Sequence, residues 1–393
     1  MIEPAEGGDT LRSALRVGGH ALARHQLALA LALGAERVIC ITEGSGADLL
    51  MLQHTAEAAG ALFHRVPGLH GLLALVSAND DVIALGDGLL AWPDMAISLL
   101  ANPCVLVQPV EAGLVAGFER LDFNHASASA MRVPGRLFEA LGQMPADIDI
   151  FSTLQRLALQ WGLPRRELTV EAVEHGRWSL LRSEAEAQAI EPRWIALHAG
   201  SDRKAALSAW FAGVGVRAFG PALLHAGSSG TVVAIAAAVL AALALVAGWF
   251  NHAAVGLLLC AMAAVWFESA SLFGQFERRS LLLPKPSLAP SVIYGALVDV
   301  SLFLLLAMQG RIAEPVVARI FPPLMLLGLL RLVPKVLGDR RLSAWLEDRA
   351  VLALVLSVAA LGGVLGMGVA VLATGLLVLG LVVAGRRDQL TTV

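Results

Sequence analysis

Residues 231–250 read TVVAIAAAVLAALALVAGWF, twenty residues without a charge. A helix needs about 20 such residues, at about 1.5 Å each, to cross the ~30 Å hydrocarbon core of a bilayer. The stretch divides the chain. Before about residue 225, charges are scattered among short apolar runs; beyond it, apolar stretches of similar length recur. The 57% hydrophobic content and mean hydropathy of +0.70 therefore average two unlike halves of a 393-residue chain. The composition break falls near Gly227–Gly230, and it predicts a first domain over 1–200, a juxtamembrane segment over 201–227 and a membrane domain over 228–393.

Six spans are predicted, at Thr231–Phe250, Ala253–Phe273, Ser291–Met308, Val316–Leu332, Ala350–Leu365 and Val369–Ala384. Helices are expected, because hydrocarbon offers backbone groups no outside partner. Basic and neutral loops alternate. FERRSLLLPKP carries Arg278, Arg279 and Lys285, the later basic stretch carries Arg331, Lys335, Arg340, Arg341 and Arg349, and the tail carries Arg386 and Arg387. The intervening turns hold only Arg311, so both termini are expected on the cytoplasmic side. Ahead of the first span, Trp210 and Phe211 mix with Lys204 and Arg217, as in an interfacial helix or a last helix of the preceding domain.

Several classes drop out. A net charge of −3 with no basic stripe argues against nucleic acid. Cys40, Cys104 and Cys260 are scattered, without a C-x-x-C pair, so neither a disulfide framework nor a zinc site is indicated. His20, His25, His54, His64 and His70 show no ligand spacing. MIEPAEGGDT has no basic region followed by an apolar one, so no signal peptide is read there.

In the first half, helical periodicity through His20–Leu33 stops at Gly34 and gives way to an apolar strand at Arg37–Ile41. A second helix runs through Ala59, followed by a strand at Leu62–Val66. DDVIALGDGLL and PCVLVQPV supply further strands, and Asp149 caps a helix beginning at PADIDIFSTLQ. Alternating helices and continuous apolar strands predict an α/β domain with a mostly parallel sheet. Ligands of such sheets sit beyond the strands' carboxyl ends, where Asp87 falls between Gly86 and Gly88. Asn124, His125, Arg132 and Arg136 lie in a polar stretch, LDFNHASASAMRVPGRLFEAL, that either faces that cleft or, on the plainer reading, is a solvated loop before a helix.

VGGHALARHQLALALALGAERVICI, Val17–Ile41, resembles the segment of sugar-nucleotide and cytidylyl transferases in which GG-x-P-L-L opens a helix after the first strand. VIALGDGLL resembles the strand whose terminal Asp binds metal or sugar phosphate in those enzymes. The resemblance covers about residues 15–150 and implies a GT-A/Rossmann-like nucleotidyltransferase fold. The departure lies upstream: Gly7, Gly8, Arg12 and Arg16 have no apolar strand before them, so no phosphate-cradling strand–loop nest is expected.

ASLFGQFERRS, residues 270–280, is similar to the D-x-x-D-G-x-x-A-R signature of the CDP-alcohol phosphatidyltransferases. Gly274 and Arg278 match, Ala270 and Phe273 stand where the acids belong, and Glu277 replaces the alanine. In YGALVDVSLF, Gly295 and Asp299 match the following G-x-x-x-D step, while Phe303 takes the place of its last Asp. Over residues about 225–385, the chain resembles the membrane half of bifunctional bacterial cytidylyltransferase/CDP-alcohol phosphatidyltransferase proteins.

That resemblance implies a bacterial inner (plasma) membrane location, membrane lipids and a CDP-linked or polyol-phosphate ligand as partners, and a homodimer. It places substrate contacts at Gly274, Arg278, Arg279, Gly295, Asp87, Arg132 and Arg136. An active member would hold Mg²⁺ or Mn²⁺ through Asp299 and Glu277. A carboxylate–cation contact at about 4 Å is worth on the order of 4 kcal/mol at an effective dielectric near 20. Losing three acids therefore predicts a chain without two-metal catalysis, which binds a head group or pairs with an active homologue. Two alternatives stay open: an active transferase with a changed metal site, and a transporter whose deepest polar residue is Arg319 with Glu314 near a span end. Gly274 and Gly295 also have a plainer reading as sites of close helix packing.

Overall fold

The computed structural model describes residues 3–7, 10–44, 46–145, 148–198, 207–215, 229–283, 286–309, 315–337 and 340–390. Gly8, Lys204, Arg217, Gly227, Lys285, Arg311 and Glu314 lie outside the described residues, as do the side chains of Arg340, Arg341, Arg386 and Arg387. Two compact units emerge: Met1–His198 with Glu277–Pro284, and Ala199–Phe276 with Lys285–Val393.

The first unit opens with a short hairpin, β1 (Arg16–Val17) and β2 (His20–Ala21), joined through Gly18 and Gly19 at positive φ. Helix α1 (Leu22–Ala32) ends before Gly34, whose φ of 85° turns the chain toward β3 (Arg37–Ile41). Then come α2 (Ala47–Ala58), β4 (Leu62–Val66), α3 (Leu69–Leu73), β5 (Asp81–Leu85), β6 (Leu89–Ala91) and α4 (Pro93–Leu99). The unit continues with β7 (Cys104–Pro109), α5 (Val110–Val115), β8 (His125–Pro134), α6 (Leu137–Leu141) and α7 (Ile150–Gln160). It closes with β9 (Arg165–Glu167), α8 (Val170–Glu174), β10 (Trp178–Leu180) and α9 (Glu184–His198).

The expected α/β alternation is present, and the strands predicted at Arg37–Ile41 and Leu62–Val66 form a parallel pair. The mostly parallel sheet is not. The largest sheet has four strands in the order β5-β8-β7-β9; β8 runs antiparallel to both neighbours, and only β9 lies parallel to β7. The stretch read as a polar loop is thus a central strand. Ala126, Ser127, Ala128, Ala130, Met131 and Val133 of β8 are buried. Small Ala and Ser side chains let two layers close over β8, and Ser127 Oγ accepts from the Ser129 amide, so its hydroxyl is not stranded. Met131, Val133, Val105 and Val107 pack one face against Leu137, Phe138, Leu154 and Leu157 of α6 and α7. The other face meets Leu89, Leu100 and Trp178, whose indole donates to the Ala128 carbonyl at 2.8 Å.

The second unit is helical. Residues 207–215 form α10, in the stretch expected to be interfacial, with Trp210 and Phe211 more than half exposed. Helices α11 (Ser229–Trp249), α12 (Ala253–Ser280), α13 (Pro290–Met308), α14 (Val316–Val336) and α17 (Leu365–Leu390) each contain a stretch long and apolar enough to cross a bilayer. Between α14 and α17 lie α15 (Arg340–Leu346) and α16 (Arg349–Leu361). At 13 residues, α16 is about 20 Å long and falls short of the ~30 Å core, so five helices rather than six have spanning length among the described residues. The last seven residues of α12 extend past the predicted span end at Phe273, and its final turn counts with the first unit. Ala237, Ala244, Leu257, Phe267, Leu302, Leu326, Ala353 and Leu356 form the shared core of the bundle.

Candidate functional site

The loop from β5 to β6 carries Gly86, Asp87 and Gly88. These glycines answer to packing. A Cβ at Gly86 would come within 2.9 Å of the Ser129 Cβ, and one at Gly88, where φ is +78°, within 2.5 Å of the Leu181 carbonyl oxygen. At both glycines the approaching group is the protein's own chain. Asp87 accepts from the Gly88 and Glu3 amides, so the start of the described chain lies against it. Arg132 grips Asp81 at 2.6 and 2.9 Å and donates to the Leu100 and Ala101 carbonyls. Arg136 stacks over the Trp161 ring at 5.5 Å. Asp87, Arg132 and Arg136 thus each serve local structure.

At the end of α12, Glu277 Oε1 lies 3.6 Å from His20 Nε2, a ring that burial keeps neutral by pushing it down to about 3, and Arg279 donates to the His198 carbonyl at 3.2 Å. Both are contacts inside the first unit. Arg278 sits in the same final turn, and its carbonyl accepts from the Leu283 amide. Gly274 lies where α11 packs on α12: a Cβ at Gly230 would be 3.6 Å from the Gly274 nitrogen and 3.7 Å from the Ala270 carbonyl. That is an ordinary van der Waals approach of α11 to α12. The close-packing reading does not fit Gly295, where an added Cβ would meet nothing within 4 Å.

One helical turn beyond that open position lies Asp299, a buried acid near the middle of α13. It is 9% exposed, and both carboxylate oxygens are engaged. Oδ2 accepts from Arg331 Nε and Nη2, each at 2.7 Å, and Oδ1 accepts from Arg349 Nε at 2.6 Å. Arg349 is anchored further by donation to the Leu346 carbonyl. Next to it, Asp348 caps α16, accepting from the Ala350 and Val351 amides and, across to α10, from the Ser208 amide at 2.8 Å. Asp299 and its two guanidiniums carry a net charge of +1. The Asp299 and Arg349 side chains are each 12% exposed while that of Arg331 is 55% exposed, so the positive end of the cluster is reachable.

A divalent metal does not fit this donor set. The positions that would supply acids hold Ala270, Phe273 and Phe303; the first two are buried and the third packs on the bundle core. The oxygens of Asp299 are committed to guanidiniums. Among the described residues no three His, Cys, Asp or Glu gather as a metal cluster. Hard cations need several oxygen ligands at once.

An apolar groove of about 750 Å³ runs along α12 in the same unit, from Leu258 to Phe273, roughly 22 Å of helix. Val233 of α11, Phe211 of α10 and Leu354 of α16 line it, together with Ala350 and Val351, the residues that follow Arg349. Arg331 and Arg349 as partners of Asp299 were missed in the sequence because they were counted only as loop charges. The signal was present: an acid near mid-span requires a compensating cation. No protein-family model matches the chain, and no curated protein matches it.

Proposed function

We propose that this chain is a membrane protein that binds an amphiphile with an anionic, phosphate-bearing head group, its head at Arg331 and Arg349 and its tail along the α12 groove. The observation that carries the proposal is the arginine–aspartate cluster: two guanidiniums on one carboxylate leave a positive site in an apolar bundle. Guanidinium matches phosphate oxygens through paired N–H donors, and a low dielectric strengthens the attraction. The open space at Gly295, one turn from Asp299, leaves room beside the cluster.

On this view the chain keeps a scaffold resembling the CDP-alcohol phosphatidyltransferases without their two-metal chemistry. The arginines stand in for the cations, so binding persists and phosphotransfer does not. The basic loops after α12 and α14 support a bacterial inner membrane with those two connections on the cytoplasmic side. Arg319, the residue on which a transporter reading would rest, donates to the Ala307 carbonyl at 3.3 Å.

Native mass spectrometry of the full chain, released from mixed vesicles of phosphatidylglycerol and phosphatidylcholine, tests the proposal. Preferential retention of the anionic lipid, reduced about tenfold or more by Arg331→Gln, is expected. Equal retention of both lipids, or an unchanged preference in Arg331→Gln, would refute it. Release of CMP from CDP-diacylglycerol, abolished by Asp299→Asn, would show a working transferase instead.

A further inference from the structure

The segment Glu277–Pro284 counts with the α/β unit, and a cluster of histidines and tryptophans receives it. His25 of α1 is 7% exposed; its Nε2 lies 3.0 Å from the Val17 carbonyl and its Nδ1 3.4 Å from the Ser280 carbonyl. His198 ends α9, 2% exposed, with Nδ1 3.0 Å from the Trp194 carbonyl, and its own carbonyl accepts from Arg279. The rings form one continuous chain of edge-on and tilted contacts. His20 meets His25 at 6.2 Å, His25 meets Trp194 at 5.8 Å, Trp194 meets His198 at 4.4 Å, and His198 meets Trp92 at 4.2 Å. Ser280 and Leu281 are buried in the contact.

The charges facing this stack come from every element around it. Arg16 and Arg24 approach from β1 and α1, and Arg279 and Glu277 from the docked segment. Glu191 of α9, 2% exposed, accepts from the Gly18 amide at 2.8 Å. Three arginines against two glutamates make the surroundings unwelcoming to a further positive charge. A neutral imidazole has one N–H, so His25 donates to only one of its two facing carbonyls while uncharged.

We propose that this cluster is an acid-released clasp: with His25 and His198 neutral it holds Glu277–Leu283 against α1 and α9, and proton uptake by the two rings frees the segment. Burial pushes His198 down to about 4 and holds His25 well below its ordinary range, outweighing the backbone carbonyls that favour the charged rings. The released rings regain an ordinary value of about 6.5. A folded value below the free one means that the closed state is fully favoured above about pH 6.5. Below that pH the open state binds more protons, and closure weakens about tenfold per pH unit for each ring. The clasp stands on contacts that the amphiphile site does not use.

Hydrogen exchange of the full chain in nanodiscs, corrected for intrinsic rates, tests it. Protection of residues 277–283 is expected to fall about 100-fold or more between pH 7.5 and 5.0, with a parallel change in tryptophan emission, while β7 and β8 stay protected. His198→Phe keeps a ring in the stack and removes one charge, so it should recover about tenfold or more of the lost protection. Unchanged protection at pH 5.0, an identical loss in His198→Phe, or simultaneous opening of β7 and β8 would each overturn the clasp. If the variant does not fold, the wild-type contrast between 277–283 and β7–β8 still decides.

Discussion

Arg132 and Arg349 both hold an aspartate, in opposite surroundings. The Asp81 partner of Arg132 has a side chain 47% exposed on the edge of a sheet, whereas the Asp299 partner of Arg349 is 12% exposed inside a helical bundle. Both contacts measure 2.6 Å, so geometry does not separate them; dielectric does. An exposed pair gains little over hydration, about 0–1 kcal/mol. A buried pair that loses one member leaves a stranded charge, at a cost of about 3–5 kcal/mol. The α/β unit spends its arginines on local order, and the bundle concentrates two of them on one acid.

The largest effect is therefore expected from Asp299→Asn, which leaves two guanidiniums facing each other. Detergent-unfolding curves should show a loss of about 3–5 kcal/mol, and a loss below 1 kcal/mol would erase the contrast with Asp81. In the α/β unit the comparable injury is apolar. Met131→Ala in the central strand β8, where Met131 is fully buried, should cost about 2–5 kcal/mol in denaturant titrations.

The two helix caps sharpen the contrast at smaller scale. Asp149 accepts from the Phe151 and Ser152 amides, and its replacement by Ala should cost about 1 kcal/mol. Asp348, 4% exposed, accepts also from the Ser208 amide, so Asp348→Ala should cost more, about 2 kcal/mol. Equal costs would mean that the α10 contact contributes nothing. The smallest effect belongs to Asp81→Asn: under about 1 kcal/mol, shrinking as salt is raised.

Much of this was legible in residue order. Apolar length marked five of the six predicted spans, Gly34 marked a helix end, and short runs rich in apolar residues marked β3 and β7, because each signal is local. β8 was not, since HASASAMRVP lacks the β-branched density of an exposed strand and earns its place by fitting between two packed layers. The glycines around Asp87 signalled close approach, and the groups that approach them are Ser129 and Leu181. Asp299 was singled out by its match to the G-x-x-x-D step; Arg331 and Arg349 lie 32 and 50 residues away, and only folding joins them.

The central claim is that Asp299 balances two arginines instead of divalent cations. Manganese titration of the full chain in nanodiscs, followed by electron paramagnetic resonance, addresses it directly. No stoichiometric Mn²⁺ uptake at near-millimolar concentration is predicted, with or without a CDP-linked lipid. Uptake of one or two ions per chain, lost in Asp299→Asn, would contradict the account.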